Sequence, residues 1–128
     1  MRKEKQIVFK TDNRPGVCGE VTTAIAERGC NIWAFNALGI GQEGIFCLVT
    51  DNNTKAMEAI KELGYKPELK DCFVTELKNN KGTLANLTNQ LGDEHINIDY
   101  CYGSCFSGPT ANLVVCVNNS TKAEKIFK

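Results

Sequence analysis

The sequence predicts an α+β protein built from two βαββαβ repeats packed side by side, residues 1–70 and 71–128, the second lacking its last strand. Three observations lead there. Residues 16–32 and 82–98 align without a gap at one offset of 66, carrying Val21 onto Leu87, Ile25 onto Leu91 and Ile32 onto Ile98. In each copy the apolar spacing switches between the period of a strand and that of a helix. The second copy ends soon after its second helical stretch. The same register superposes Asn13 and Asn31 on Asn79 and Asn97. Apolar matches speak of fold and polar matches of a site. Beyond Val49 and Val115 the offset grows by one, as a single residue inserted in a turn would make it.

In the first copy, residues 6–10 are short, β-branched and aromatic, and read as a strand. The turn cluster Thr11-Asp12-Asn13-Arg14-Pro15-Gly16 follows. Pro15 suits the first helical position, and Gly16 permits close approach of another group. Val17, Val21, Ala24 and Ile25 recur at helical spacing until Gly29 closes the helix. Residues 31–40 form a second strand, with Ile32, Ala34, Leu38 and Ile40 on one face and Trp33, Phe35 and Ala37 on the other. Apolar residues on both faces imply that both are partly covered. Residues 41–44 make a hairpin into a third strand at 45–50. Asn52, Asn53 and Thr54 cap a second helix carrying Ala56, Ile60 and Leu63, and residues 65–69 form a fourth strand. The second copy repeats this from Cys72, with a helix near 82–94, strands near 96–106 and 111–117, and a helix from Thr121. Two helices on one face of a four-stranded antiparallel sheet, a ferredoxin-like layer, satisfy this order.

Bulk properties remove several functions. Lysine plus arginine and aspartate plus glutamate balance at 15 each, giving no field for nucleic acid or an anionic membrane. The apolar run after the basic start is too short for a signal peptide or a span, so a cytoplasmic protein is expected. Seven cysteines form no C-x-x-C pair, and an odd count without a secretion signal argues for free thiols. Cys18, Cys30, Cys47 and Cys116 read as small core hydrophobes. Cys101 and Cys105 would lie ~13 Å apart along a strand, too far for a disulfide. His95 is the only histidine and aligns with Gly29, and no Ser/His/Asp, H-E-x-x-H or Walker pattern appears. A catalytic, cofactor or metal reading has little to stand on.

The turn before the first helix is different. A glycine turn feeding a helix N-terminus presents unpaired N–H groups and the positive end of the helix dipole, which suits a small carboxylate. Asn13 and Asn79 precede that turn in each copy, while Asn31 and Asn97 open the following strands. A helix of about four turns keeps those two places apart within one copy. Across two copies about a twofold axis, Asn13 could meet Asn97 and Asn79 could meet Asn31. An amide can hold either end of a zwitterion, although asparagine also caps turns for purely structural reasons.

Asp12-Asn13-Arg14-Pro15-Gly16-Val17, a helix, then Gly29-Cys30-Asn31-Ile32 resembles the ACT domain, the regulatory amino-acid-binding module attached to many biosynthetic enzymes. Nearly the whole chain takes part, as two ACT-type copies, and is similar to stand-alone tandem ACT proteins. In the serine-binding ACT domains of phosphoglycerate dehydrogenase, ligands lie between adjacent domains against the turn asparagine and the one starting the second strand. The resemblance therefore implies ligand contacts at Asn13, Arg14, Pro15, Gly16, Val17 and Asn31, and by the repeat at Asn79, Gly82, Thr83 and Asn97. It also implies a non-catalytic homodimer that binds an amino acid and regulates a partner biosynthetic enzyme. The second turn, Lys78-Asn79-Asn80-Lys81-Gly82, lacks proline, and Thr11 stands where the serine-binding members have histidine, which counts against serine. Two other readings stand beside this one: a ligand-free ACT-type interaction module, and a thiol-based metal or redox sensor using Cys101 and Cys105 with Cys72 or His95.

Overall fold

A computed structural model describes residues 1–104 and 107–127. The order is β1 (Arg2–Asp12), α1 (Val17–Glu27), β2 (Ile32–Ile40), β3 (Glu43–Thr50) and α2 (Asn53–Glu62), then β4 (Glu68–Lys78), α3 (Thr83–Asp93), β5 (Ile98–Ser104), β6 (Thr110–Val117) and α4 (Ser120–Ile126). These form two compact units, Lys5–Lys70 and Met1–Glu4 with Asp71–Lys128.

In the unit Lys5–Lys70 the strand order is β2-β3-β1, and the first residues of β4 belong to it. β3 is antiparallel to both neighbours, with Phe9 opposite Phe46 and Leu38 opposite Ile45. Val17, Val21 and Ile25 recur at helical spacing on α1, and Ala56, Ala59 and Ile60 on α2. Both stripes are buried with Ile7, Phe9, Phe46 and Leu48 in one core. Phe9 stacks on Phe46 at 5.0 Å between centroids, and Phe35 meets Phe46 edge-on at 5.9 Å. Arg28 of the α1 C-cap bridges to Glu58 at 2.8 Å and to Glu62, joining the two helices. Asn52 caps α2 by accepting from the Lys55 N–H at 3.1 Å.

The other unit has β5 and β4 on either side of β6, with Phe73 opposite Val115 and Cys101 also opposite Val115. Leu87 and Leu91 of α3 and Ala123 of α4 bury against Phe73, Leu113 and Val115. After α4 no further strand follows in the described chain, yet Met1–Glu4 cluster with this unit, where Met1 packs on the core and Lys3 pairs with Asp71 at 3.8 Å and Glu124 at 3.2 Å.

Four expectations are corrected. Of the strand expected at 65–69 only residues 68 and 69 are extended, and they run on into the one starting at Cys72 as a single strand, β4, because Leu69-Lys70-Asp71 holds no turn-forming glycine or proline to break it, while residues 65–67 form no strand. β2 is not covered on both faces: Trp33, Phe35, Leu38 and Ile40 are exposed, because β2 is the outer strand of its unit. Leu63 lies past the last turn of α2 and is also exposed. Cys18 sits on the open side of α1 and is exposed, whereas Cys30, Cys47, Cys72 and Cys116 are buried.

Removing residues 2–4 should lower stability by on the order of 2 kcal/mol, the cost of lost strand pairing and of displacing Met1 from the core. Amide exchange should accelerate chiefly in residues 71–78 and 110–117, which hydrogen-exchange mass spectrometry checks.

Candidate functional site

The two β-to-α turns have the same backbone. The Val17 N–H donates to the Arg14 carbonyl at 3.4 Å, and the Thr83 N–H donates to that of Asn80 at 3.3 Å. Gly16 lies at φ 91, ψ −12 and Gly82 at φ 86, ψ −8. These are type II turns, whose third residue needs positive φ and whose second favours proline. Pro15 fills that second position, two residues before α1, rather than the first helical position. Lys81 fills it in the other copy, so proline is dispensable to the shape. A Cβ built on either glycine would meet nothing within 4 Å, so the glycines serve the dihedral and not a close approach. Each is also the N-cap, and neither helix start has a side-chain cap. The first-turn N–H groups of α1 and α3 thus lack the side-chain acceptor that serine, threonine or aspartate supplies at most helix starts.

One asparagine per unit fastens the turn to the facing hairpin. Asn13 donates its N–H to the Gln42 carbonyl at 2.9 Å and its Nδ2 to the Gly41 carbonyl at 2.8 Å. Asn79 donates to the Pro109 and Gly108 carbonyls at the same two distances, 2.9 Å and 2.8 Å. The Asn13 amide lies over Gly39, where a Cβ would stand 2.7 Å from Nδ2. In the sequence Gly41 reads only as the start of a hairpin turn, and Gly39 and Gly108 carry no local mark of this role. The matching positions of Gly41 and Gly108 behind an asparagine that recurs were the available signal. These partners also relocate the inserted residue. Ser104 is still 66 residues after Leu38, with matching partners in β6 and β3, while Gly108 is 67 after Gly41. In sequence the insertion therefore lies between Ser104 and Gly108, and not beyond Val115.

Asn31 and Asn97 stand at the opposite end. Asn31 exchanges bonds with Asp51, its N–H donating to Oδ1 at 2.8 Å and its carbonyl accepting from the Asp51 N–H at 3.0 Å. Asn97 does the same with Asn118 at 3.0 and 3.1 Å, and its Nδ2 donates to Asp99 at 3.0 Å. The length of β2, about 27 Å at strand rise, separates Asn13 from Asn31 in their unit. The structure does not bring those two together within one unit, and the same holds for Asn79 and Asn97.

Charge distinguishes the turns. Arg14 holds Glu20 through two hydrogen bonds of 2.9 and 2.7 Å and lies 3.8 Å from Asp12. Its hydrogen bond to Arg14, and then the guanidinium charge, hold the Glu20 carboxyl below the usual range. The same pair raises Arg14 further above its ordinary value. The matching positions in the second turn are Asn80 and Asn86, so that turn carries no ion pair there. Val17 is buried and offers a site only its backbone, whereas Thr83 is half-buried. His95 adopts φ 57 where Gly29 has φ 75, a backbone role at a helix-to-strand corner. No cluster of three or more His, Cys, Asp or Glu suited to a metal occurs among the described residues, and Cys105 lies outside them.

A family model for the ACT domain pair matches residues 5–128. The chain belongs to the ACT domain-pair family. Its members are regulatory modules, and the βαββαβ pattern is theirs. The ACT pair is similar to protein BT0572 from Bacteroides thetaiotaomicron, with TM-score 0.89 and 25% identity over 97% of this chain and 85% of that one. In fold it is similar to the regulatory subunit of aspartate kinase from Thermus flavus, at TM-score 0.64 and 18% identity, covering 89% of this chain and 85% of the other. The ligand-free regulatory subunit from Thermus thermophilus gives 0.67 and 14%, covering 90% and 87%. No curated protein matches the chain.

Two outcomes follow for the ACT turns. Lys81→Pro should raise stability by about 0.4–1 kcal/mol, since the turn already has the shape proline imposes, whereas Gly82→Ala should lower it by about 1–2 kcal/mol; denaturant midpoints measure both. The Glu20 pair should stabilise above the unfolded carboxylate pKa and fade as pH falls through the lower folded value. The melting temperatures of Glu20→Gln and the wild-type chain should therefore differ at neutral pH and converge in acid.

Proposed function

We propose that this ACT pair is a non-catalytic, amino-acid-binding regulatory protein that works in the cytoplasm as a homodimer and governs a partner biosynthetic enzyme. The observation that carries the reading is the duplicated turn. Each unit keeps a type II turn, a left-handed glycine as N-cap and an asparagine clamp, although proline, arginine and glutamate have all changed between the copies.

In this reading the ligand carboxylate faces the uncapped N–H groups at the start of α1 or α3, where the helix dipole favours an anion. Asn13 and Asn79 act chiefly by holding the turn, since their Nδ2 groups are spent on Gly41 and Gly108. Arg14 is engaged by Glu20, so a carboxylate that used its guanidinium would displace Glu20. An asparagine at a strand start, Asn31 or Asn97, completes the site from another ACT unit. Regulation then needs only that the ligand bind one arrangement of units more tightly than the alternatives.

Titration calorimetry against the twenty amino acids tests this. One or a few should bind, and Asn13→Ala together with Asn79→Ala should weaken binding at least ~10-fold, equivalent to about 1.4 kcal/mol. No heat with any amino acid, together with an unchanged melting temperature at millimolar ligand, would instead favour the ligand-free interaction module.

A further inference from the structure

Two cysteines of the second repeat face each other across a pair of strands. β4 and β6 run antiparallel with Phe73 opposite Val115 and Val74 opposite Val114, and one step further in that register sets Cys72 opposite Cys116. Both are buried, at 1% and 5%. Alternation along each strand puts them on one face, turned away from the core that holds Phe73 and Val115. Residues directly opposite in an antiparallel pair have Cα atoms about 4.5 or 5.5 Å apart, and both spacings fall inside the ~4.4–6.8 Å range of a disulfide. No other two cysteines among the described residues stand opposite each other in a strand pair: Cys47 has Val8 and Asn36 beside it, and Cys101 has Val115.

The first repeat shows that the fold does not require thiols at these places. Cys72 matches Gln6 at the offset of 66, and past the inserted residue Cys116 matches Val49. Gln6 and Val49 also stand opposite each other, one step beyond the pairing of Ile7 with Leu48, and are buried at 0% and 3%. Glutamine and valine in one copy have thus both become cysteine in the other. Cysteine can fill a core as a small hydrophobe. Two of them in register add what Gln6 and Val49 cannot supply, a bond between the strands.

We propose that Cys72 and Cys116 are a dithiol that hydrogen peroxide closes to a disulfide, stapling β4 to β6. One cysteine, as its thiolate, attacks an oxygen of the peroxide; the O–O bond breaks, and the departing hydroxide takes up the thiol proton as water, leaving a sulfenic acid. The second thiolate attacks that sulfur, the S–O bond breaks, and hydroxide leaves with the second thiol proton as water. Two thiols are oxidised to one disulfide and one peroxide is reduced to two waters. A small uncharged oxidant suits the burial, since a bulky disulfide would have to bring its own sulfur into line with the thiolate. Having the second sulfur opposite favours closure over further oxidation to sulfinic acid. The closed bond spans residues 72–116, which include the Asn79 turn, α3 and β5, and a thiol reductant reopens it. The site does not depend on whether an amino acid binds.

The test is oxidation of the folded chain with hydrogen peroxide, then unfolding in a thiol-alkylating reagent, digestion and mass spectrometry. Wild type should yield a Cys72–Cys116 linked peptide that lacks the two thiol hydrogens, with the circular dichroism unchanged by peroxide. That peptide should disappear on treatment with dithiothreitol and be absent from Cys116→Val, which carries the first repeat's residue. Denaturant titration should give oxidised wild type an unfolding equilibrium constant at least ~10-fold smaller than that of the reduced chain, because the bond closes a long loop. Peroxide should leave the midpoint of Cys116→Val where it was. Cys72→Ser supplies the same control if Cys116→Val fails to fold. Recovery of both residues as alkylated thiols, their conversion to sulfinic acids, or pairing of either with another cysteine would overturn the proposal and leave them as small core side chains. A Cys72–Cys116 disulfide that forms without strengthening the fold would overturn the staple.

Discussion

Much of this structure depends on one side-chain amide in each unit. Asn13 reaches across to the carbonyl of Gly41, and Asn79 to that of Gly108, each joined by a backbone bond to the next carbonyl. A single such bond contributes only about 1 kcal/mol. Its geometric consequence is larger. With the turn pinned to the hairpin, the chain must reverse in few residues, and the type II turn with a left-handed glycine does so. That turn sets where α1 and α3 begin, and hence that Val17, Val21 and Ile25, or Leu87 and Leu91, face the strands. It also leaves the helix start without a side-chain acceptor, the feature a ligand would use.

The two repeats keep this constraint while changing what surrounds it. Pro15 becomes Lys81 without altering the turn, because proline only restricts a dihedral that lysine can also adopt. Arg14 and Glu20 become Asn80 and Asn86, which turns an ion pair into neutral amides. Exposed β2 carries tryptophan, phenylalanine, leucine and isoleucine, whereas β5 carries Asp99 and Ser104. Shared backbone with divergent side chains is what a duplicated scaffold looks like when its two surfaces meet different demands.

The order of elements was readable because helix and strand periods differ and the glycines punctuate them, as Gly29 and Gly64 do at φ 75 and 94. The asparagines were readable as candidates because they recur in register. Their partners were not, since Gly41 and Gly108 lie 28 and 29 residues away and no local pattern links them. The exposure of β2 was misread for a related reason: periodicity describes a strand's two faces and says nothing of whether it lies at an edge. The place of Met1–Glu4 was also hidden. A strand of eleven residues can serve two units, and its sequence does not mark where one ends and the other begins.

The claim that the uncapped glycine turn forms the wall of a ligand site is most directly tested by following backbone amides during titration with the amino acid that binds. Nitrogen–proton correlation spectra should show the largest saturable shifts at Cys18 and Gly19, at Leu84 and Ala85, or at both pairs, with small changes in the α2 and α4 amides. Saturable shifts confined to other segments, with these amides unmoved, would contradict it.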